Sequence, residues 1–435
     1  MLVLMFLKIP VAFALAIPSV VGVLALRPRA VVTMLQTMPY DEVASWSLSV
    51  IPLFVLMGLL HWRSGITDSL YGVANKWLGW LPGGLAISTN FAGTGLAAMS
   101  GSTISTTYAL ARIGIPQMLN QGYDKRLATG AVIVAGLPGQ LIPPSVFLIV
   151  YAGIAEVPVG PQLMAGFGPG ILVALLMAVM ILAFSILRPS MAGRGKGADR
   201  EPSTWKDRWT SLGKIWPLPV LMVIIIGGMF SGILTATEAG VAGALGALVI
   251  TLFALRGKKP MKAVRVAAVE SVSSVGSIFI LIIGAAMFGT MLSLTGLGVA
   301  FTDWVIAMGL GRVELLLVIM VAYLVLGMFM DPLSILLLTV PMLIPTLEAM
   351  DISLLWYGVF CVFLGELAIL TPPVGMLSFI VHKIVQSPDV NMGQKITLGN
   401  VFASVGWFLP MAIVACIILI FVPDIALWLP EMMAR

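Results

Sequence analysis

The sequence predicts an all-α polytopic membrane protein, and three observations predict it. Of 435 residues, 60% are hydrophobic and only 10% charged, with mean hydropathy +1.07. Soluble domains carry about 25% charged residues, and no water-facing fold absorbs this much apolar surface. Two proline pairs, Pro143-Pro144 and Pro372-Pro373, interrupt otherwise apolar runs. Basic residues gather in two linkers, the pattern of loops kept on the cytoplasmic side.

Apolar windows fall at 2–26, 47–62, 83–99, 128–154, 165–187, 215–232, 238–255, 264–292, 298–330, 354–385 and 399–429. They predict roughly ten to twelve crossings, at about 20 residues per span. The first lacks a basic start and is long enough to span, so it reads as a helix, not a signal peptide. One linker holds Arg188, Arg194, Lys196, Arg200, Lys206, Arg208 and Lys214; the other holds Arg256, Lys258, Lys259, Lys262 and Arg265. With both cytoplasmic, 215–255 must cross an even number of times. The net charge of +5 therefore reads as orientation, not nucleic-acid binding. Segment 188–214 is the one long polar stretch, a hinge between halves at 1–187 and 215–435. Cys361 and Cys416 lie in apolar runs as free thiols, and His61 and His382 flank apolar segments as interfacial residues.

The halves repeat. A shift of 229 residues carries Pro143-Pro144 onto Pro372-Pro373, Ile115-Pro116 onto Ile344-Pro345, Gly136 onto Gly365, Leu141 onto Leu370 and Ser105 onto Ser334. Shared spacing of helix breakers is not a product of composition. Tyr123-Asp124-Lys125-Arg126 follows Pro116, whereas Glu348-Ala-Met-Asp351, with no basic residue, follows Pro345. Equivalent loops of opposite basic character predict an inverted-topology repeat, with a site near the midplane.

Each double proline should break its helix, because proline removes a backbone donor and clashes with the preceding turn. In lipid such breaks survive only inside protein or beside a polar cavity. Each half also carries a polar patch before its Ile-Pro. One is Ser100-Gly101-Ser102-Thr103-Ile104-Ser105-Thr106-Thr107; the other runs from Gly327 through Asp331-Pro332 to Ser334. About a dozen residues separate patch from Ile-Pro, too few to span and suited to one arm of a re-entrant hairpin. Hydroxyls and freed carbonyls at such tips offer oxygen ligands to a small cation, and helix-start N–H groups suit a carboxylate. Small-residue helix packing would also explain 102–107, and Asp331-Pro332 would also serve as an N-cap with proline at N1. Glu366 lies mid-membrane, where a charge is usually functional or paired with a polar neighbour. No His–acid pairing or H-E-x-x-H suggests a metal site. Ser100-Gly101 lacks the context of an intramembrane serine protease.

These residues resemble one family nearly end to end: the large membrane subunit of TRAP transporters, the tripartite ATP-independent periplasmic systems. The resemblance includes Pro10-Val-Ala-Phe13, Ile51-Pro-Leu-Phe-Val-Leu-Met-Gly58, Gly101-Ser102, Ile115-Pro-Gln-Met118, Gly122-Tyr-Asp124 and Leu141-Ile-Pro-Pro-Ser145. It continues through Phe167-Gly-Pro-Gly170, Met330-Asp-Pro332, Pro341, Pro345, Gly365-Glu366 and Leu370-Thr-Pro-Pro-Val-Gly375. It implies an elevator-type secondary active transporter, not an enzyme, that moves an organic acid anion with sodium. The anion class would be C4-dicarboxylate, sialic acid or 2-oxo acid. The expected partners are a small four-helix membrane subunit on a separate chain and a periplasmic binding protein, at a bacterial inner membrane. The resemblance places one ion site at Gly101, Ser102, Thr103, Ser105 and Thr106 with Gly136, Gly139 and Pro143. It places the second at Gly327, Asp331, Gly365 and Thr371. Substrate would meet Ser102, Thr103, Pro144, Ser145, Pro372, Pro373 and Gly375. Where many members have alanine near Ser105, threonine at 137 and proline at 140, this chain has Ser105, Leu137 and Gln140. A stand-alone sodium:dicarboxylate or citrate-type carrier is the alternative that would share the hairpin design.

Overall fold

The computed structural model describes residues 2–7, 9–193, 204–372 and 375–433. Pro373 and the linker residues Arg194, Lys196 and Arg200 lie outside the described residues. No strand occurs among the described residues; an isolated bridge joins Tyr123 to Ala192. Six described helices are long and apolar enough to cross a membrane: Ser47–Ser64, Val159–Leu187, Ala236–Ala254, Pro260–Thr295, Pro332–Ala349 and Leu398–Phe421. A bent pair ending in Pro217–Phe230 would make a seventh. That is fewer than the predicted ten to twelve, because several apolar windows are divided. Window 128–154 splits into Lys125–Val134 and Val146–Ile154, and window 298–330 into Leu297–Ala307 and Arg312–Leu326. The second division falls at Met308-Gly309-Leu310-Gly311, where Gly309 takes a φ of +67°.

The elements recur at the spacing the sequence predicts. Adding 229 to Thr103–Asn120 reproduces Pro332–Ala349 at both ends. Lys125–Val134 and Leu354–Ala368 share their start under the same shift. One expectation fails. Pro116, Pro341 and Pro345 do not end their helices; each arm runs 18 residues straight through them. A proline inside a helix costs about 3 kcal/mol in water, but packed neighbours and local adjustment meet the freed carbonyls inside a membrane protein. Within the linker, Trp205–Ile215 is helical. Thr204 and Asp207 cap it reciprocally, with N···O distances of 3.0 and 3.2 Å. It packs on Ile66–Leu78 through Trp77, whose ring lies 5.5 Å from that of Trp209. Tryptophan at that density reads as an interfacial helix, a signal hidden by the segment's average polarity.

The remaining spans pack in two groups. Val11–Leu26, Val50–Ser64, Ala236–Ala254 and Pro260–Thr295 run against one another. Val159–Leu187 holds Leu354–Ala368, Leu398–Phe421 and Asp424–Met433. Their buried aromatics include Tyr151, Trp356, Tyr357, Phe360 and Phe408. The Tyr151 hydroxyl donates to the Leu354 carbonyl at 2.7 Å, tying the two halves together. The Tyr123–Arg126 corner lies on the start of the basic linker: the Asp124 N–H donates to the Met191 carbonyl at 2.9 Å. The fold thus puts the basic corner and the start of the basic linker side by side. Burial opposes ionisation of Asp124, but hydrogen bonds and charge from Arg126 outweigh it and hold the carboxyl below its ordinary range.

Candidate functional site

Two helical hairpins meet two broken helices, and each tip is built by the same local device. Gly84–Ser100 ends at Gly101, whose φ of +61° reverses the chain without Cβ strain. Ser102 is extended, and its Oγ accepts the Ser105 N–H at 3.2 Å, capping Thr103–Asn120. In the second hairpin Asp331 caps Pro332–Ala349, accepting the Ser334 N–H at 3.1 Å through Oδ1. Its other oxygen accepts the Ser334 hydroxyl. Ser102 and Asp331 stand 229 apart, as do Ser105 and Ser334. Both tips thus carry an N-cap, with threonine or proline at N1. Both Asp331 oxygens are engaged in capping. Ser100 Oγ accepts the Ser102 N–H at 3.3 Å and lies 3.4 Å from Thr106 Oγ1.

The breaks form as predicted but begin before the proline pairs. The first helix stops at Val134, passes a 3-10 turn at Pro138–Gln140 and a cis Pro143-Pro144 bond, and restarts at Val146. Ser145 caps the restart, accepting the Leu148 N–H at 3.3 Å. The second helix stops at Ala368 and restarts at Met376, after Gly375 with φ +33°. Thr371 Oγ1 donates to the Leu367 carbonyl at 3.0 Å. Gly136, Gly139, Pro143, Pro144, Ser145, Gly365, Thr371 and Gly375 are buried, and Pro372 is half-buried.

Each tip sits on the break of its own half. A Cβ on Gly136 would lie 2.8 Å from Thr103 Cγ2, and one on Gly365 would lie 3.1 Å from Pro332 Cβ. These pairs are equivalent under the shift. A second contact exchanges the small residue between partners. In the first half Gly139 meets the Ala98 nitrogen, 2.7 Å from its virtual Cβ. In the second, Ala368 meets Gly327, whose Cβ would fall 1.8 Å from the alanine methyl.

At the tips a side-chain contact also crosses between halves. Thr103 Oγ1 donates to Glu366 Oε2 at 2.6 Å, with both residues buried. Among the described residues no cation pairs with Glu366. The first tip therefore touches both breaks through one side chain. Glu366 corresponds to Leu137 in the other half, which is fully buried. The acid is present once, and no repeat-based comparison would have proposed it as a ligand.

Three buried oxygens near these elements have no hydrogen-bond partner: Thr107 Oγ1, Gln140 Oε1 and Ser378 Oγ. Thr107 lies one turn beyond Thr103, Gln140 lies in the first break, and Ser378 lies in the first turn after the second break. The helix bearing Ser378 packs on the arm bearing Thr107. Such atoms call for a bound ligand or water. Sequence reading treated Gln140 as a departure and missed Ser378; a hydroxyl in the first turn after a break was the available signal. No described group of three or more His, Cys, Asp or Glu residues could hold a metal ion; the side-chain polar atoms named at the tips and breaks are hydroxyl, amide and carboxylate oxygens. Beside the first tip opens a cavity of about 570 Å³, bounded by Ser100, Ser102 and Ser105, by Val146, and by Arg63 and Glu270.

The sequence matches, over residues 1–425, the family described as tripartite ATP-independent periplasmic transporter, DctM component. The chain belongs to this family. A C4-dicarboxylate TRAP transporter large permease protein of Pseudomonas aeruginosa is 30% identical over 394 residues, covering 90% of this chain and 88% of the relative. An ectoine TRAP transporter large permease protein of Halomonas elongata is 28% identical, covering 89% and 87%. A sialic acid TRAP transporter permease of Haemophilus influenzae is 27% identical, with 88% of this chain matching 61% of a longer protein. In fold, the permease resembles the Alcanivorax borkumensis YdaH transporter, at TM-score 0.67 and 18% identity over 96% of this chain and 97% of that one. It also resembles Neisseria gonorrhoeae MtrF, at TM-score 0.62 and 14% identity over 91% and 86%. The permease is thus a multi-span membrane transport subunit, and the hairpins and breaks are its distinguishing internal structure.

Proposed function

We propose that the permease carries an organic acid anion inward across a bacterial inner membrane, driven by sodium in an elevator-type motion. It takes substrate from a periplasmic binding protein and works with a small four-helix membrane subunit. The observation that carries this reading is the Thr103–Glu366 bond, which joins the first hairpin tip to the second break at 2.6 Å. A buried acid with one neutral partner is costly as a free charge, and a sodium ion beside it would offset that cost. Sodium is cargo here, and oxygen donors suit a hard cation. The first seat would be built from Gly101, Ser102, Thr103, Ser105 and Thr106 with Gly136, Gly139 and Pro143, and the orphan oxygens of Thr107 and Gln140 add donors to it. The second would use the backbone at Gly327, Gly365 and Thr371, with Asp331 holding the arm by its cap. Substrate would lie between Ser102, Thr103, Pro144, Ser145, Pro372, Pro373 and Gly375, where capped helix starts turn their dipoles toward an anion.

Binding an anion and a cation at the same tips couples them electrostatically. Neither charge is stable there alone, so tip closure requires both. Proteoliposomes holding the permease with its small subunit should take up the acid only with a sodium gradient and with the binding protein. Full uptake on a proton gradient alone overturns the sodium reading. Uptake without any binding protein identifies a stand-alone carrier instead.

A further inference from the structure

The proposed seats leave one charged pair of the cavity without a role. Arg63 stands in the last turn of Val50–Ser64, facing Glu270 on Pro260–Thr295. Arg63 Nη2 donates to Glu270 Oε1. Arg63 Nε is buried and has no acceptor. A guanidinium holds a carboxylate best through two parallel bonds, and Glu270 supplies one. Both side chains remain partly exposed, at 36% and 41%, so the pair adds little stability and exchanges partners readily.

The rest of the wall describes a ligand. Arg63 is the one basic residue among the described cavity-lining residues. The same cavity is lined by the hydroxyl-bearing residues Ser100, Ser102, Ser105 and Tyr108 of the first hairpin. Apolar side chains, Leu59, Trp62 and Phe147 among them, complete the wall. A volume of about 570 Å³ suits a small organic molecule. The chemistry of the wall suits a ligand with an acid group for Arg63, a short carbon body, and hydroxyl or oxo groups for the hairpin hydroxyls. A second acid group would find no basic side chain on this wall.

We infer that Arg63 seats the acid group of the transported anion, that Glu270 stands in for it when the cavity is empty, and that the substrate carries a single anionic group. This rests on the transporter reading. When the substrate arrives, its carboxylate takes Arg63 Nε and Nη2 together and Glu270 turns to solvent. No covalent step is involved.

The test uses purified permease with its small subunit in saturating sodium, and follows melting temperature against added pyruvate, N-acetylneuraminate, isethionate, succinate or malate. At least one single-anion probe should stabilise the wild-type protein and outperform both dicarboxylates. Glu270→Gln should lower that probe's midpoint several-fold by removing the competitor. Arg63→Gln should raise it about tenfold or more, the scale of one lost ionic contact, with Arg63→Lys intermediate. The probe-free melting temperatures of all variants should stay near wild type. A merely structural pair behaves otherwise: Arg63→Gln and Glu270→Gln would weaken binding alike, and the charge-reversed R63E/E270R protein would recover. That pattern, preference for succinate or malate, or no response to any probe, overturns the inference. Sodium- and binding-protein-dependent uptake that ignores Arg63→Gln also overturns it while leaving the transporter reading standing. Wild-type uptake without sodium dependence defeats that reading instead.

Discussion

Replacing Thr103 with valine keeps the shape of the side chain and deletes the hydroxyl that donates to Glu366 at 2.6 Å. The acceptor stays buried and is left without this donor. A hydrogen bond to a charged group contributes about 1.5–3 kcal/mol. If the tip meets the second break in the ion-loaded state, that energy appears in sodium affinity. At 1.36 kcal/mol per decade, the sodium midpoint should rise about 10- to 150-fold. The assay is melting temperature titrated with sodium, where stabilisation follows ligand saturation. Glu366→Gln keeps an acceptor for Thr103 but deletes the charge, so it should lose sodium response beyond the loss of one bond. Combining the two changes closes a double-mutant cycle, and contact at this distance demands strong non-additivity. A folded Thr103→Val protein with the wild-type sodium midpoint would refute the coupling of tip, break and ion.

Three further outcomes follow from the same geometry. Ser102→Ala and Asp331→Ala should each cost about 1 kcal/mol of stability through a lost N-cap; Ser102→Ala should also shift the sodium midpoint, whereas Asp331→Asn should leave it nearly unchanged, and a large shift in the latter would make Asp331 a ligand. Gly327→Ala should abolish folding or uptake, because its methyl would fall 1.8 Å from that of Ala368; adding Ala368→Gly reproduces the first half's alanine–glycine order and should restore uptake, and failure of the pair would refute the equivalence of the two contacts. Single cysteines near Lys125 and near Asp351, in a background lacking the buried Cys361 and Cys416, should react with impermeant thiol reagents from opposite faces; labelling from the same face would refute the inverted repeat.

Much of this architecture was legible because the breaks are written in residue types that leave few alternatives. The Pro143-Pro144 pair interrupts its helix whatever surrounds it, and the 229-residue spacing carried Ser105 onto Ser334 before any coordinates did. The arms were misread as short, since a lone proline such as Pro116 or Pro345 is a helix stop in water and only a local disturbance among packed neighbours. The amphipathic helix Trp205–Ile215 was missed because its tryptophans lie in a segment judged by average polarity. Orphan oxygens and ion pairs were illegible for a different reason: they are properties of pairs. Nothing local marks Thr103 as the partner of Glu366, 263 positions away, or Arg63 as the partner of Glu270.

That difference bears on how the two halves came to differ in function. Under the shift, the caps, the arms and the tip-to-break contacts coincide, which is what folding two broken helices requires. Leu137 against Glu366, and Ser102 against Asp331, depart from the symmetry at the sites themselves. The buried acid belongs to the second half, but its hydroxyl partner is Thr103 of the first tip, so its charge is presented to the first frame. The repeat therefore supplies two similar frames, and the unpaired substitutions decide what each frame holds. The proposed ion sites should accordingly be unequal: the one touching Glu366 more tightly bound and more sensitive to loss of a single side chain, the one at Gly327 held by backbone and tolerant of side-chain change.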